Sequence, residues 1–75
     1  MDTNQFMRAV GGQIRAYREA QGLSQDKLAK MIGGVSNGAH LSKIELGKVS
    51  CSLEYLFRIA TALGIDPKDL LDFDG

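Results

Sequence analysis

The residues between positions 37 and 44 have types and a spacing that suit nucleic-acid recognition. Leu41 and Ile44 are three residues apart, so on a helix they share one face and would hold it against a core. The other side chains would lie largely outward: Asn37, Gly38, Ala39, His40, Ser42 and Lys43. Several of these can hydrogen-bond base edges or phosphate oxygens. A short helix anchored on one face and polar on the other could insert into a DNA major groove.

A second short helix must hold this polar helix in place, and the sequence predicts one directly upstream. Ser24 is a good capping residue, and the pattern after it predicts a helix to about Ile32. Ala29 is small enough to let the two helices approach closely, and Gly33 can end the first helix with a positive φ angle. Asn37 is the expected cap of the polar helix.

Three further helices are predicted around this pair, and no segment shows the alternation typical of a β-strand. Thr3 or Asn4 is the expected cap of the first helix, Ser52 caps the fourth, and Pro67 opens a short fifth. The apolar residues of the first helix are Phe6, Val10, Ile14 and Tyr17. Those of the fourth are Leu53, Leu56, Phe57, Ala60 and Leu63. We expect residues 1–75 to form one compact all-α domain.

Composition narrows the class of protein. The 75 residues include one cysteine, so an internal disulfide is excluded and neither a metal cluster nor a cofactor is expected. No apolar run approaches the roughly 18 residues of a membrane span, and no signal peptide is evident, so we expect a cytoplasmic protein. The single histidine has no plausible cysteine or carboxylate partner, and there is no phosphate-binding loop, which disfavours an enzyme.

Charge is balanced overall but unevenly distributed. Residues 1–60 carry 8 basic and 5 acidic residues, whereas residues 61–75 carry 1 basic and 4 acidic residues, so +3 and −3 cancel. A basic surface must therefore be local, away from the acidic tail. We expect a lower non-specific affinity for DNA than a strongly basic domain would have.

Four motifs between Gly12 and Leu71 resemble the Cro/repressor-type (XRE-like) helix-turn-helix family. They are Gly12-x-Ile14-Arg15-x-x-Arg18, Gly22-Leu23-Ser24-Gln25-x-x-Leu28-Ala29, Leu41-Ser42-Lys43-Ile44-Glu45-x-Gly47-Lys48 and Ser52-Leu53-Glu54-x-Leu56-x-x-Ile59-Ala60-x-Ala62-Leu63-Gly64. The resemblance implies a five-helix, lambda-repressor-like domain with the helix-turn-helix at helices 2 and 3. It also implies binding to double-stranded operator DNA, usually as a dimer.

Two departures from the family pattern affect the recognition helix. From Ala29 to Leu41 there are twelve residues where the family usually has ten, so two extra residues fall within positions 34–37. Either the turn is longer or helix 3 begins earlier, at Ser36. Gly38 and Ala39 occupy positions that often read bases, yet neither side chain can hydrogen-bond; Ala39 could contact a thymine methyl and Gly38 could approach a phosphate closely.

The resemblance also assigns roles to single residues. It places Gln25 on the DNA backbone at a helix N-terminus, Lys43 on bases or phosphates, and Lys48 in a loop beside the sugar-phosphate chain. The expected DNA-contacting residues are Ser24, Gln25, Asn37, Gly38, Ala39, His40, Ser42, Lys43, Lys48 and Ser50. Arg18 and Glu45 are expected to form a structural ion pair between helices 1 and 3.

The apolar residues near the C-terminus predict a dimer. A short fifth helix cannot bury all of Ile65, Leu70, Leu71 and Phe73 in one monomer, so some would form a two-fold interface. The sequence therefore predicts a homodimeric regulator, a repressor on a near-palindromic operator. Such a protein would lack a ligand-binding domain, and its occupancy would depend on its own concentration or on a protein partner such as a toxin or an antirepressor.

Two alternatives remain open at this point. The first is an antitoxin, which uses the same DNA chemistry and has a toxin enzyme as an additional partner. The second is a protein-interaction module that has lost DNA binding. Neutral charge and the Gly38 and Ala39 positions favour this module, whereas Gln25, Lys43 and Lys48 oppose it.

Overall fold

The computed structural model describes residues 1–34 and 36–73, which form four α-helices and a final 3₁₀ helix. The α-helices are α1 (Thr3–Ala20), α2 (Gln25–Ile32), α3 (Gly38–Glu45) and α4 (Leu53–Leu63), and the 3₁₀ helix spans Pro67–Leu71. The described residues contain no strand, so the all-α prediction is confirmed. The fifth helix is a 3₁₀ helix and not an α-helix. None of the helices in the described ranges is long and apolar enough to cross a membrane.

Side-chain caps start α2, α3 and α4 at the predicted residues. The Ser24 hydroxyl accepts from the backbone N–H of Lys27, the Asn37 side chain from that of His40, and the Ser52 hydroxyl from that of Tyr55. Each cap satisfies one of the N–H groups that the first turn leaves without a helical partner. Local chemistry therefore fixes where these three helices begin.

The predicted start of α1 is wrong by one residue or two. Asp2, rather than Thr3 or Asn4, is the cap: its carboxylate accepts from the backbone N–H of Gln5 at 2.8 Å. The Gln5 side chain in turn accepts from the backbone N–H of Asp2 at 2.9 Å. This reciprocal capping box satisfies two N–H groups, whereas Thr3 or Asn4 alone would satisfy one.

The turn between α2 and α3 is the longer of the two alternatives. α2 ends at Gly33, whose φ of 81° is open to glycine at no steric cost, and α3 begins at Gly38 after its cap Asn37. Helix 3 therefore does not start early at Ser36. Val35, one of the positions assigned to the insertion, lies outside the described residues.

The core is assembled from one face of every helix. Its buried apolar residues are Val10, Ile14, Leu28, Ala29, Leu41, Ile44, Leu56, Ile59, Ala60, Leu63 and Leu70. In α4, Ile59 is buried, while Leu53 and Phe57, which were predicted to be inward, are 83% and 60% exposed. At about 100° per residue around the helix axis, Phe57 points well away from Leu56 and Ile59, which face the core.

Candidate DNA-binding interface

The position of α3 depends on a close approach to α1. A Cβ atom added at Gly11 would lie 2.4 Å from the carbonyl oxygen of Ile44 and 2.5 Å from that of Glu45. Only glycine fits at this crossing without moving backbone. Gly11 therefore allows the C-terminal turn of α3 to pack directly on the backbone of α1. This role of Gly11 was not predicted from the sequence.

The predicted ion pair between Arg18 and Glu45 is present. The Arg18 guanidinium donates to both Glu45 carboxylate oxygens, at 2.7 and 3.0 Å, and also to the backbone carbonyl of Leu23 at 2.7 Å. Arg18 is 8% and Glu45 6% exposed. The hydrogen bond to Glu45 raises the pKa of Arg18 above its ordinary value, so the guanidinium stays protonated. This bidentate bond fixes α3 to α1.

Gln25 belongs to the same cluster. Its side-chain nitrogen donates to a Glu45 carboxylate oxygen at 3.0 Å, and the residue is half-buried at the start of α2. The neighbouring Ser24 hydroxyl is occupied by its cap to Lys27 at 3.0 Å. Both residues at this helix end thus make structural bonds. The O–H of Ser24 and the second N–H of the Gln25 amide have no described partner and remain able to donate.

The outward face of α3 carries most of the side chains predicted there. Asn37, Ala39, His40 and Lys43 are exposed, and Ser42 is half-buried. Lys48 and Ser50 are exposed in the loop that follows. These positions agree with the prediction from helical spacing, because Leu41 and Ile44 are buried on the opposite side of α3, at 0% and 2% exposure.

Gly38 is the exception, and its predicted outward position is wrong. It is buried, and a Cβ atom there would lie 2.0 Å from a carboxylate oxygen of Asp26 and 3.3 Å from the Asp26 backbone nitrogen. The absence of a side chain lets the start of α3 pack against the first turn of α2. This close packing gives Gly38 a structural role, and its predicted contact with DNA stays a prediction.

One contact to α3 was not foreseen. The Tyr55 ring of α4 lies edge-on to the His40 imidazole, with ring centroids 5.4 Å apart and planes at 73°. The Tyr55 hydroxyl is hydrogen-bonded to the hydroxyl of Ser36 in the turn. Spacing along the sequence could not reveal this link, because the two ends lie 15 and 19 residues from Tyr55.

The C-terminal interface prediction is wrong for Leu70, which is completely buried in the monomer. Ile65 and Phe73 are partly buried against the core, and the Phe73 ring lies edge-on to Phe6 at 5.7 Å. Only Leu71, at 45%, is strongly exposed.

Gln13 explains how this segment is held against α1. Its side-chain nitrogen donates to the carbonyl oxygens of Asp69 and Asp72, at 3.1 and 2.9 Å. These bonds fix the 3₁₀ helix close enough to α1 for Leu70 to enter the core.

The structure does contain an exposed apolar face, but most of it lies outside the predicted C-terminal patch. We define the apolar face as Phe6, Leu53, Phe57 and Leu71, which are 45%, 83%, 60% and 45% exposed. Phe6, Leu53 and Leu71 line one open cavity of about 300 Å³, and Phe57 lies one turn beyond Leu53 on α4. Cys51 lies in the same cavity, where burial raises the pKa of its thiol to about 11.

A short helix with a polar exposed face, supported by a preceding helix across a turn, defines a helix-turn-helix DNA-binding domain. Comparison with known families agrees: residues 14–70 match the helix-turn-helix family, and the chain belongs to it.

Two relatives are similar over nearly their whole length. The chain is 38% identical over 72 residues to the control protein C.BamHI of Bacillus amyloliquefaciens, covering 95% of this chain and 86% of that protein. The crystal structure of the restriction-modification controller protein C.AhdI from Aeromonas hydrophila matches with a TM-score of 0.86 and 33% identity. That match covers 93% of this chain and 99% of the other. The chain is a DNA-binding transcriptional regulator and not an enzyme.

Proposed function

We propose that this chain is a restriction-modification controller: a sequence-specific cytoplasmic regulator whose residues 1–75 act as one domain. Likeness to C.AhdI over 93% of the chain, at a TM-score of 0.86, carries this proposal. C.BamHI is likewise named a control protein. These two relatives favour a controller over an antitoxin or a module that has lost DNA binding.

The exposed side of α3 would enter the major groove. Lys43 has the reach and charge to contact guanine O6 and N7, and Ala39 offers a methyl group to thymine. His40 and Asn37, at the start of α3, are exposed and can donate to base edges or phosphates. Ser42, half-buried, would lie at the flank of the groove.

Backbone contacts would flank this helix. Lys48 and Ser50 are exposed directly after α3, in reach of the sugar-phosphate chain. Ser24 and Gln25 mark the start of α2, where the positive end of the helix dipole favours a phosphate. The Ser24 O–H, the second N–H of the Gln25 amide and the backbone N–H groups of this turn could donate to such a phosphate.

The operator complex would contain a homodimer formed through the apolar face, replacing the patch predicted around Leu70. Leu53 and Phe57 are four residues apart on α4 and project from one side of it. Leu71 extends the same surface from the 3₁₀ helix. A two-fold dimer presents two copies of α3, so its operator would be near-palindromic, and its occupancy of a promoter would repress transcription.

A promoter assay tests the proposal. DNA upstream of this gene, and upstream of any restriction and modification genes found near it, would drive a reporter with and without the protein. We expect the protein to bind and repress at least one of these promoters, and Lys43→Ala to abolish the response. Lack of any response would contradict the controller assignment, and co-purification with a toxin from the native source would support the antitoxin instead.

A further inference from the structure

Tyr55 joins the recognition helix to the turn that precedes it. Its hydroxyl is hydrogen-bonded to that of Ser36, in the turn, and its ring is edge-on to His40, in the first turn of α3. Tyr55 is itself held by α4, since its backbone N–H donates to the Ser52 hydroxyl at 3.1 Å. One side chain of α4 thus contacts both the turn and the helix that would read DNA.

The described residues of the turn, which leave out position 35, are not closely packed on this side. An open cavity of about 300 Å³ separates it from the start of α4, lined by Gly33, Gly34, Ser36, Ser52, Tyr55 and Arg58. Two of these residues, Gly33 and Gly34, have no side chain with which to fill the gap. The hydrogen bond between Ser36 and Tyr55 spans it, and therefore ties this long turn to the scaffold.

The ring contact restricts His40 directly. His40 is exposed on α3, and an exposed imidazole would otherwise sample several rotamers. Edge-to-face contact with an aromatic ring favours a defined orientation, here at 73°. Restricting the His40 side chain before binding lowers the conformational entropy that it loses when the complex forms.

We propose that Tyr55 is a positioning residue for DNA recognition, which fixes the His40 imidazole and the first turn of α3 from α4 without itself contacting DNA. The inference rests on the proposed function, in which His40 faces the groove. It adds a determinant of base preference that lies outside the helix-turn-helix.

Two variants separate the contributions of the hydroxyl and the ring. Tyr55→Phe removes only the bond to Ser36, and Tyr55→Leu also removes the ring contact to His40. For a selected operator, we expect Tyr55→Phe to weaken binding about threefold to tenfold, the range for loss of one hydrogen bond. Tyr55→Leu should weaken it further and relax preference at the base pairs where His40→Ala does. Affinity for an unrelated duplex should not change.

Three controls make the test specific. Tyr17→Phe, which removes a hydroxyl from the other tyrosine, should keep wild-type affinity. Ser36→Ala should match Tyr55→Phe, and the double variant should be no weaker than either single variant, because both remove the same bond. Denaturant unfolding of each variant shows whether it is folded under the binding conditions. If a Tyr55 variant is unfolded, Ser36→Ala tests the same hydrogen bond in its place.

The outcomes distinguish this inference from the proposed function. If the wild-type protein selects an operator but Tyr55→Leu and Ser36→Ala retain its affinity and base preference, the role of Tyr55 is overturned and the controller assignment stands. If the wild-type protein prefers no sequence, both are overturned.

Discussion

At the scale of residues, the Glu45 carboxylate joins three helices. It lies at the end of α3, receives two bonds from Arg18 of α1, and receives a third from Gln25 of α2. A buried charge needs such partners, since removing them leaves it desolvated and unpaired. Glu45 thus holds the two helices of the helix-turn-helix at a fixed angle to α1.

We expect Arg18→Ala and Glu45→Ala each to lower the free energy of unfolding by about 3–5 kcal/mol, because each leaves a buried charge without its partner. A domain of this size would then be close to unfolding. Urea denaturation measures the loss. The matched control is the exposed Arg15–Glu19 pair, 3.2 Å apart, where alanine substitutions should cost less than about 1 kcal/mol. Equal, small losses at both pairs would contradict a structural role for Arg18 and Glu45.

Cys51 provides a test of burial in the apolar cavity. Its pKa of about 11 leaves little thiolate near neutral pH, and the thiolate is the reactive form. In native protein, alkylation by iodoacetamide should be slow at pH 8 and should accelerate steadily up to about pH 11. Protein unfolded in urea is the control and should react at the rate of an ordinary cysteine. A native thiol that reacts as fast as the unfolded one would contradict burial of the Cys51 thiol.

At the scale of elements, adjacent glycines in α1 have opposite roles. A Cβ at Gly11 would collide with α3 backbone, whereas nothing lies within 4 Å of one at Gly12. The α1–α3 crossing therefore depends on one position, and the neighbouring position only weakens the helix.

We expect Gly11→Ala to destabilise the protein by about 1–3 kcal/mol, as overpacking a well-packed contact does. Gly12→Ala should instead stabilise it by up to about 1 kcal/mol, through helix propensity. Chemical denaturation under the same conditions measures both changes in the free energy of unfolding. The close crossing would be disproved by a Gly11→Ala protein as stable as Gly12→Ala.

The success of sequence-based prediction also differs between elements. The caps Ser24, Asn37 and Ser52 were predictable because a cap depends on its own turn. The Arg18–Glu45 pair came from the family resemblance. Gly38 was misplaced because its environment is set by Asp26, twelve residues away, and helical spacing does not report such contacts.

At the scale of the whole molecule, helical spacing alone did not separate core residues from surface residues. Leu53 and Phe57 fit an apolar stripe but are exposed, while Leu70, predicted to be at an interface, is buried with the help of Gln13. Which side of α4 faces the core depends on how α4 packs against α2, α1 and the 3₁₀ helix. That arrangement involves residues far apart in the chain, so it could not be predicted from local patterns.

The apolar face makes a prediction about assembly. Leu53→Asp and Phe57→Asp introduce charge at exposed positions, so each variant should fold normally but sediment as a monomer where wild type is a dimer. Met31→Asp is the control, because Met31 is 47% exposed on α2, outside the apolar face. Sedimentation over a concentration series measures the result. A wild-type protein that stays monomeric at high micromolar concentration, free and on DNA, would exclude the dimer.

Selection of bound duplexes from a random pool tests the central claim most directly. We predict enrichment of inverted repeats with half-site centres about 34–36 Å apart, one helical turn, to match two copies of α3. Lys43→Ala should change the selected bases. Lys48→Ala should instead weaken binding to all sequences alike, and should lower the slope of log affinity against log salt concentration by about one unit. Lys68→Ala, which removes the same charge from the 3₁₀ helix, should select as wild type does. No enrichment, or a selected sequence that Lys43→Ala leaves unchanged, would contradict recognition of DNA by α3.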